Sequence, residues 1–409
     1  MTSVTQNSTM HTTAQHTTSK HAASKQTTAS TRPRAAYYVG LDVHKDSITI
    51  AAAPAFSGPD PEARVIELGR IPHDYASLER KLARLQRPDQ DGAATLCVCY
   101  EAGPTGYELH RWLEARGHHC LVIAPSLTPT RSGDRVKTDR RDAAGLAVAL
   151  RADTLTAVHV PDVPTEAVRD LERARDAAKR AERVARQQLD KFLLRHGDRY
   201  EGGRKWTQAH LQWIHTLRFE QDGHRRLMAD AIKTVEDATE RVERLTVDLA
   251  EVIAQTDLSP LATALGALRG VAELSAAVIA AEVGDLRRFR MAKQFMSYVG
   301  LTPSENSSGE RTRRGSITCA GNGRLRWILV EAAWHYRHRP AVGKALRARQ
   351  QAVAEPVRQI AWKAQKRLHR KFRHLTEHRG RSSQIAVIAV ARELAGFVWA
   401  IGQQDPLTR

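Results

Sequence analysis

Cysteine is scarce in this chain of 409 residues: Cys97, Cys99, Cys120 and Cys319 are the whole complement, and no two are spaced as C-x-x-C. A zinc ribbon and a disulfide framework are thereby excluded. Three of the four lie in apolar, strand-like runs, as reduced core cysteines of a cytoplasmic protein do. Long apolar runs are lacking too. The longest are interrupted by Glu273 and Glu282 and by Arg392 and Glu393, so no window supplies the ~20 uninterrupted apolar residues of a spanning helix, and no membrane partner is expected. Acidic residues are absent before Asp42. The first 34 residues, rich in Ser, Thr, His and Gln, hold neither the apolar core of a secretory signal nor an amphipathic stripe, and residues 1–36 read as a disordered basic tail.

What the chain has in excess is positive charge, +18 net with a pI near 10.1. Such a surface attracts polyanions, because Lys and Arg that neutralise phosphates release condensed counterions. The charge is concentrated: residues 341–381 hold 12 Lys or Arg against 2 Asp or Glu, +10 of the total. With 42% hydrophobic residues, the chain is long enough for two or three domains with cores of their own.

Between residues 37 and 160 short strand-like runs alternate with helical ones. Tyr37 to Val43 and Ile48 to Pro54 predict a hairpin about His44-Lys45-Asp46-Ser47, Arg64 to Ile71 a third strand, and Tyr75 to Leu85 a helix. Ala94 to Tyr100 predicts a strand leading through Gly103-Pro104 to a helix from Thr105, with Thr105 and Glu108 at capping-box spacing. A strand from Cys120 to Ala124 and a helix from about Asp139 to Arg151 follow. This order predicts an α+β sheet of mixed direction, a RuvC-like (ribonuclease-H-like) N-terminal domain. Residues 161–258 predict a helical coiled-coil middle, because Met228, Ile232, Val235, Thr239, Val242, Leu245, Leu249 and Val252 step by threes and fours. A break at Gly197 to Trp206 predicts the turn between an ascending and a descending helix. The pattern alone fits an intramolecular hairpin and an intermolecular coiled coil equally. Residues 259–409 predict a smaller α-helical C-terminal domain with a polar insertion at Ser304 to Gly323. Its closing helix is apolar at Val387, Val390, Leu394, Val398 and Ile401, a core-packing pattern.

Four acids interrupt these runs. Asp42 sits inside the apolar run that starts at Tyr37, Glu101 closes the strand that starts at Ala94, and Asp139 and Asp142 stand three apart where a helix begins, so both can face the same way. Singly, each has an ordinary reading: a strand-end turn for Asp42, a helix cap for Glu101, an N-cap for Asp139 and a dipole partner for Asp142. Jointly, on that order of elements, they match a magnesium site. Mg2+ prefers hard oxygen ligands, and two such ions ~3.5–4 Å apart can activate the attacking oxygen and stabilise the leaving one in phosphodiester cleavage.

Gly40-Leu41-Asp42-Val43-His44-Lys45, Tyr100-Glu101-Ala102-Gly103-Pro104-Thr105-Gly106-Tyr107 and Lys137-Thr138-Asp139-Arg140-Arg141-Asp142-Ala143 resemble the three acidic motifs of the DEDD insertion-sequence transposases. These are the IS-one-ten family, the bridge-RNA-guided recombinase group. Further on, Tyr298-Val299-Gly300-Leu301-Thr302-Pro303-Ser304-Glu305-Asn306-Ser307-Ser308-Gly309 resembles the family's C-terminal signature, followed by Ala320-Gly321-Asn322-Gly323-Arg324-Leu325-Arg326. The resemblance covers most of the chain from Tyr37 onward. It implies a C-terminal transposase domain whose serine, Ser308 in preference to Ser307, attacks a DNA phosphodiester. It also implies Mg2+ held by Asp42, Glu101, Asp139 and Asp142. The implied partners are donor and target DNA, a guide RNA, and further copies of the chain in a dimer or tetramer.

Read without the family, Ser307-Ser308-Gly309 is an ordinary flexible loop. Arg311, Arg313 and Arg314 follow it and suit phosphate oxygens. Arg324, Arg326, Lys363, Lys366, Arg367, Arg370, Lys371 and Arg373 are further candidates for nucleic-acid backbone contacts, though a charge run specifies no sequence. The competing readings are a RuvC-like nuclease that uses water, a site-specific DNA invertase, and a nucleic-acid-binding protein without chemistry. The intact set of four acids argues against the last.

Overall fold

A computed structural model of the protein describes residues 35–55, 65–86, 96–128, 138–305 and 313–404. The chain divides between Val160 and Pro161 into two compact units.

The first unit is built on five strands: β1 (Tyr37–Val43), β2 (Ser47–Pro54), β3 (Ile66–Pro72), β4 (Leu96–Glu101) and β5 (His119–Ile123). Their order is β3-β2-β1-β4-β5. The short turn between β1 and β2 makes them antiparallel, as are β2 and β3, whereas β4 and β5 join by parallel pairing. The unit is therefore α+β with a mixed sheet. Alternation along each strand sorts the side chains onto two faces. Val39, Leu41, Ile48, Ile50, Val98 and Tyr100 pack with Leu78 and Leu82 of α1 (Tyr75–Ala83) and with Leu109 and Leu113 of α2 (Glu108–Glu114). Cys97 and Cys99 turn the other way, onto Leu146 and Leu150 of α3 (Asp139–Arg151).

The predicted capping box at Thr105 is corrected by the structure. Gly106 has φ 68° and its N–H donates to Gly103 O at 3.3 Å, a turn geometry that a helix cannot include. Helix α2 starts only after it, with Tyr107 as an N-cap that makes no side-chain hydrogen bond.

The second unit opens with two helices of 33 residues each, α4 (Val163–Arg195) and α6 (Asp222–Ala254). Arg175 meets Thr246 and Arg186 meets Thr239, so the helices run antiparallel. Met228, Val235, Val242 and Leu249 are buried at seven-residue intervals. The apolar seam is thus covered within one chain, and the pair is an intramolecular hairpin. The break between them holds more than a turn. It contains α5 (Gln208–Thr216), whose Ile214 packs with Phe192, Leu193 and Met228 in a small core at the tip. At the base, Val168, Leu249 and Ile253 pack on Ala277, Ala280 and Ala281 of α8 (Glu273–Val283).

The rest of this unit comprises α7 (Ser259–Leu265), α9 (Ala292–Tyr298), the strand pair β6 (Pro303–Glu305) and β7 (Arg314–Ile317), α10 (Gly323–Ala333), α11 (Lys344–Gln351), α12 (Glu355–Arg373) and α13 (Ser383–Gly402). By length and composition α13 could cross a bilayer, the one such helix among the described residues. Its Val387, Val390, Leu394, Val398 and Ile401 are instead buried in the core of the bundle, which accounts for its apolar character.

Candidate metal centre

Leu41 pairs with Tyr100 across β1 and β4, so Asp42 and Glu101 are the next residues at the carboxyl ends of neighbouring parallel strands. The sheet changes from antiparallel to parallel pairing at β1, and open sheets bind ligands outside strand carboxyl ends at such points. Because Leu41 and Tyr100 face α1 and α2, Asp42 and Glu101 face the side of α3. Helix α3 starts at Asp139, and its N-cap is Thr138, whose hydroxyl accepts the Arg141 N–H at 3.4 Å. Capping therefore does not engage the Asp139 carboxylate.

Gly40 lets this helix lie so close to the strand. A Cβ on Gly40 would fall 2.2 Å from Ala143 O and 2.6 Å from Ala147 N, backbone atoms that cannot swing aside. Gly40→Ala is expected to lift the start of α3 away from β1 and to destabilise the protein by about 1–3 kcal/mol, the usual cost of overpacking. Thermal unfolding and divalent-cation titration check this. Parent-like values in both would contradict the close-approach role.

The outcome of this packing is a cluster. His44 Nε2 lies 3.2 Å from Asp42 Oδ2 and 3.8 Å from Asp139 Oδ1, and one ligand atom from each of the three lies within 4.8 Å of the others. Arg70 reaches Asp139 at 3.9 Å. Burial is the largest influence on Asp42 and raises its pKa. His44 opposes that rise, and repulsion from the charges of Asp139 and Asp142 adds to it, leaving a net increase. The structure thus brings Asp42 and Asp139 together with Asp142 in electrostatic range. Glu101 lies outside the cluster, and its carboxylate accepts a hydrogen bond from Thr128 Oγ1 at 2.9 Å. Sequence reasoning missed His44 as a member, although its place two residues from Asp42, on the same side of an extended chain, was a usable signal. Beside Asp139 opens a cleft of about 450 Å³ lined by Thr49, Glu67, Arg70, Thr138 and Arg140.

The profile of the IS110-type DEDD transposases matches residues 39–197, and one described as "Transposase IS116/IS110/IS902 family" matches residues 262–347. The putative transposase y4qE of Sinorhizobium fredii is 44% identical over 367 residues, 90% of this chain and 88% of its own length. The chain belongs to the IS116/IS110/IS902 family of transposases. A transposase for insertion sequence element IS1533 from Leptospira borgpetersenii is 31% identical over 347 residues, 84% of this chain and 97% of that protein. A transposase for insertion sequence element IS1111A from Coxiella burnetii is 26% identical over 244 residues, 58% and 65% of the two chains. A DEDD transposase domain implies DNA as partner and a divalent cation at its acids. The residues present fit that ion, since a cation would offset the burial that raises Asp42 and relieve the added repulsion from Asp139 and Asp142.

Elsewhere in the transposase the basic residues divide into two groups. Arg324, expected to face nucleic acid, is instead held inside the fold. Its guanidinium lies 2.6 Å from Glu172 and 3.2 Å from Asp176, while Glu282 accepts from Arg173 at 3.1 Å and from Asn322 Nδ2 at 2.8 Å. Arg326 donates to the carbonyls of Val299 and Ala320 at 3.0 and 3.1 Å, clasping the base of the β6–β7 pair. Arg367 and Lys371 pair with Glu393. Lys363, Lys366 and Arg370 are exposed, opposite the buried Val357, Ala361, Ala364 and Leu368 of α12. Trp362 stands among them, 41% exposed, with Lys366 Nζ 5.8 Å from its ring, an aromatic platform that charge counting overlooked. Arg313 is exposed and Arg314 opens β7. Ser307, Ser308 and Arg311 lie outside the described residues.

Proposed function

We propose that this transposase moves its own insertion sequence by DNA strand cleavage and exchange, with Ser308 as nucleophile, Mg2+ at Asp42, Glu101, Asp139 and Asp142, and a guide RNA choosing the target. The convergence of Asp42 and Asp139 at the strand carboxyl ends supports the reading most directly. Where domains of neighbouring copies meet on DNA, a cation held by the four acids would offset phosphate charge and favour loss of the serine proton. The Ser308 Oγ–phosphorus bond forms as one phosphodiester P–O bond breaks, the expelled deoxyribose oxygen leaves as a free hydroxyl that takes up the proton lost by the serine, and the phosphoserine link keeps the bond energy for transfer to a second DNA strand. Lys363, Lys366 and Arg370 would hold nucleic-acid backbone, and Trp362 a base, since stacking tolerates any sequence. Base pairing with the guide would supply the specificity that a basic surface lacks. The acting form would be a cytoplasmic dimer or tetramer.

The test is a denaturing-gel assay for a covalent protein–DNA adduct, with guide RNA, cognate DNA and Mg2+. An adduct in the parent, lost in Ser308→Ala and in Asp42→Ala, is the expected result. Cleavage without an adduct, surviving Ser308→Ala but not Asp42→Ala, would make the protein a RuvC-like nuclease that uses water.

A further inference from the structure

We propose that His44 is a ligand of the cation at the acidic site, and that its imidazole makes the transposase bind Mn2+ and other transition-series dications more tightly than Mg2+. The inference rests on the reading of Asp42 and Asp139 as cation ligands and adds a nitrogen to their oxygens.

Three observations carry it. The first is spacing. Neighbouring ligand atoms on an ion with bonds of about 2.1 Å sit about 3 Å apart in an octahedron and about 3.4 Å apart in a tetrahedron. The gaps of 3.2 and 3.8 Å from His44 Nε2 to the two carboxylates need only a small inward shift to match. The second is presentation. Asp42 faces the α3 side of β1, and His44, the first residue past the strand, returns to that side, as its 3.8 Å approach to Asp139 at the start of α3 shows.

The third is support from the backbone. His44 N–H donates to Ser47 O at 2.8 Å, His73 N–H donates to Asp46 O at 3.2 Å, and His73 Nδ1 lies 2.7 Å from His44 O as its hydrogen-bond partner. The turn carrying the imidazole is thus fastened both within the hairpin and from the end of β3. Ligand chemistry then sets the preference. Mg2+ takes hard oxygens and gives up water reluctantly, whereas imidazole nitrogen favours transition-series ions. A site of carboxylates alone has no such bias.

The experiment uses the full chain as the parent, His44→Ala, His44→Gln and Asp42→Asn. Mn2+ affinity is measured by calorimetry, Mg2+ affinity by displacement of Mn2+, and nitrogen coupling at bound Mn2+ by pulsed electron paramagnetic resonance. The expected result is imidazole nitrogen coupling in the parent that disappears in both His44 variants. Mn2+ affinity should fall roughly tenfold or more in those variants, with Mg2+ affinity nearly unchanged. His44→Gln keeps the side-chain size, and metal-free melting curves establish that both variants fold. Mn2+ binding that depends on Asp42 but shows no nitrogen coupling would overturn the role of His44 and leave the cation site standing. Absent Mn2+ binding, or binding indifferent to Asp42→Asn, would overturn the cation reading itself and this inference with it.

Discussion

Asp42→Asn is expected to lower strand cleavage roughly a thousandfold or more, and yet to leave the metal-free protein more stable than the parent at neutral pH. The pKa of Asp42 is raised in the folded protein, first by burial and also by the charges of Asp139 and Asp142. A carboxyl group raised in this way binds its proton more tightly folded than unfolded. Its stabilising contribution is complete below the ordinary value of 3.8 and disappears as pH climbs through the raised folded value. As pH rises the parent must therefore ionise a group in a place that disfavours ionisation, and asparagine need not. Melting curves in chelator should show the advantage of the variant growing from near pH 4 towards pH 7, by roughly 2–4 °C. Added divalent cation should stabilise the parent alone and close the gap, because binding to the folded state raises stability by mass action. A variant less stable than the parent in chelator at pH 7 would contradict the electrostatic account.

The second large effect is expected at Arg324. Its partner Glu172 has a side chain 5% exposed, and Glu282, 3.9 Å away, has one 3% exposed. Removing one partner from a buried ion pair leaves the other charge uncompensated, typically at about 3–5 kcal/mol, so Arg324→Ala should lose stability on that scale. Burial already raises the pKa of Glu172 despite the opposing pull of Arg324. The deficit of the variant should shrink towards acid pH, where a protonated glutamic acid tolerates burial. Chemical unfolding at pH 5 and pH 7 measures it. An Arg324→Ala variant with parent stability but weaker DNA binding would return Arg324 to the nucleic-acid surface.

The contrast between these residues marks how far sequence carries. The mixed sheet was legible, because a tight hairpin enforces antiparallel pairing and strands separated by helices favour parallel pairing. Helix α3 was legible to the residue, since the acids at its start and the arginine at its end agree with the helix dipole. Asp42 stood out because a charge in a strand run needs a reason, whereas Asp139, ordinary by itself at a helix start, stood out through its joint placement with the other acids. Arg324 was not legible. Its partners Glu172 and Asp176 lie about 150 residues earlier in the chain, and no local pattern distinguishes an arginine that meets buried acids from one that meets phosphate. The Thr105 cap failed for a local reason, a positive φ at Gly106. The heptads of α6 could not choose between a partner helix in the same chain and one in another, because the same seam satisfies both.

Helices α4 and α6 of 33 residues each measure about 50 Å at about 1.5 Å per residue. Their tip core, with Phe192, Ile214 and Met228, is carried about 36 Å, at about 1.5 Å per residue from Val168 to Phe192, from the point where α8 grips the base. Along duplex DNA that span is about eleven base pairs at about 3.4 Å each. A load applied at the tip would be delivered as torque to the ion pairs joining Arg173, Glu282, Arg324 and Glu172. The hairpin's reach is fixed by helix length, and its base is tied down by ion pairs whose carboxylates, Glu172 and Glu282, are buried.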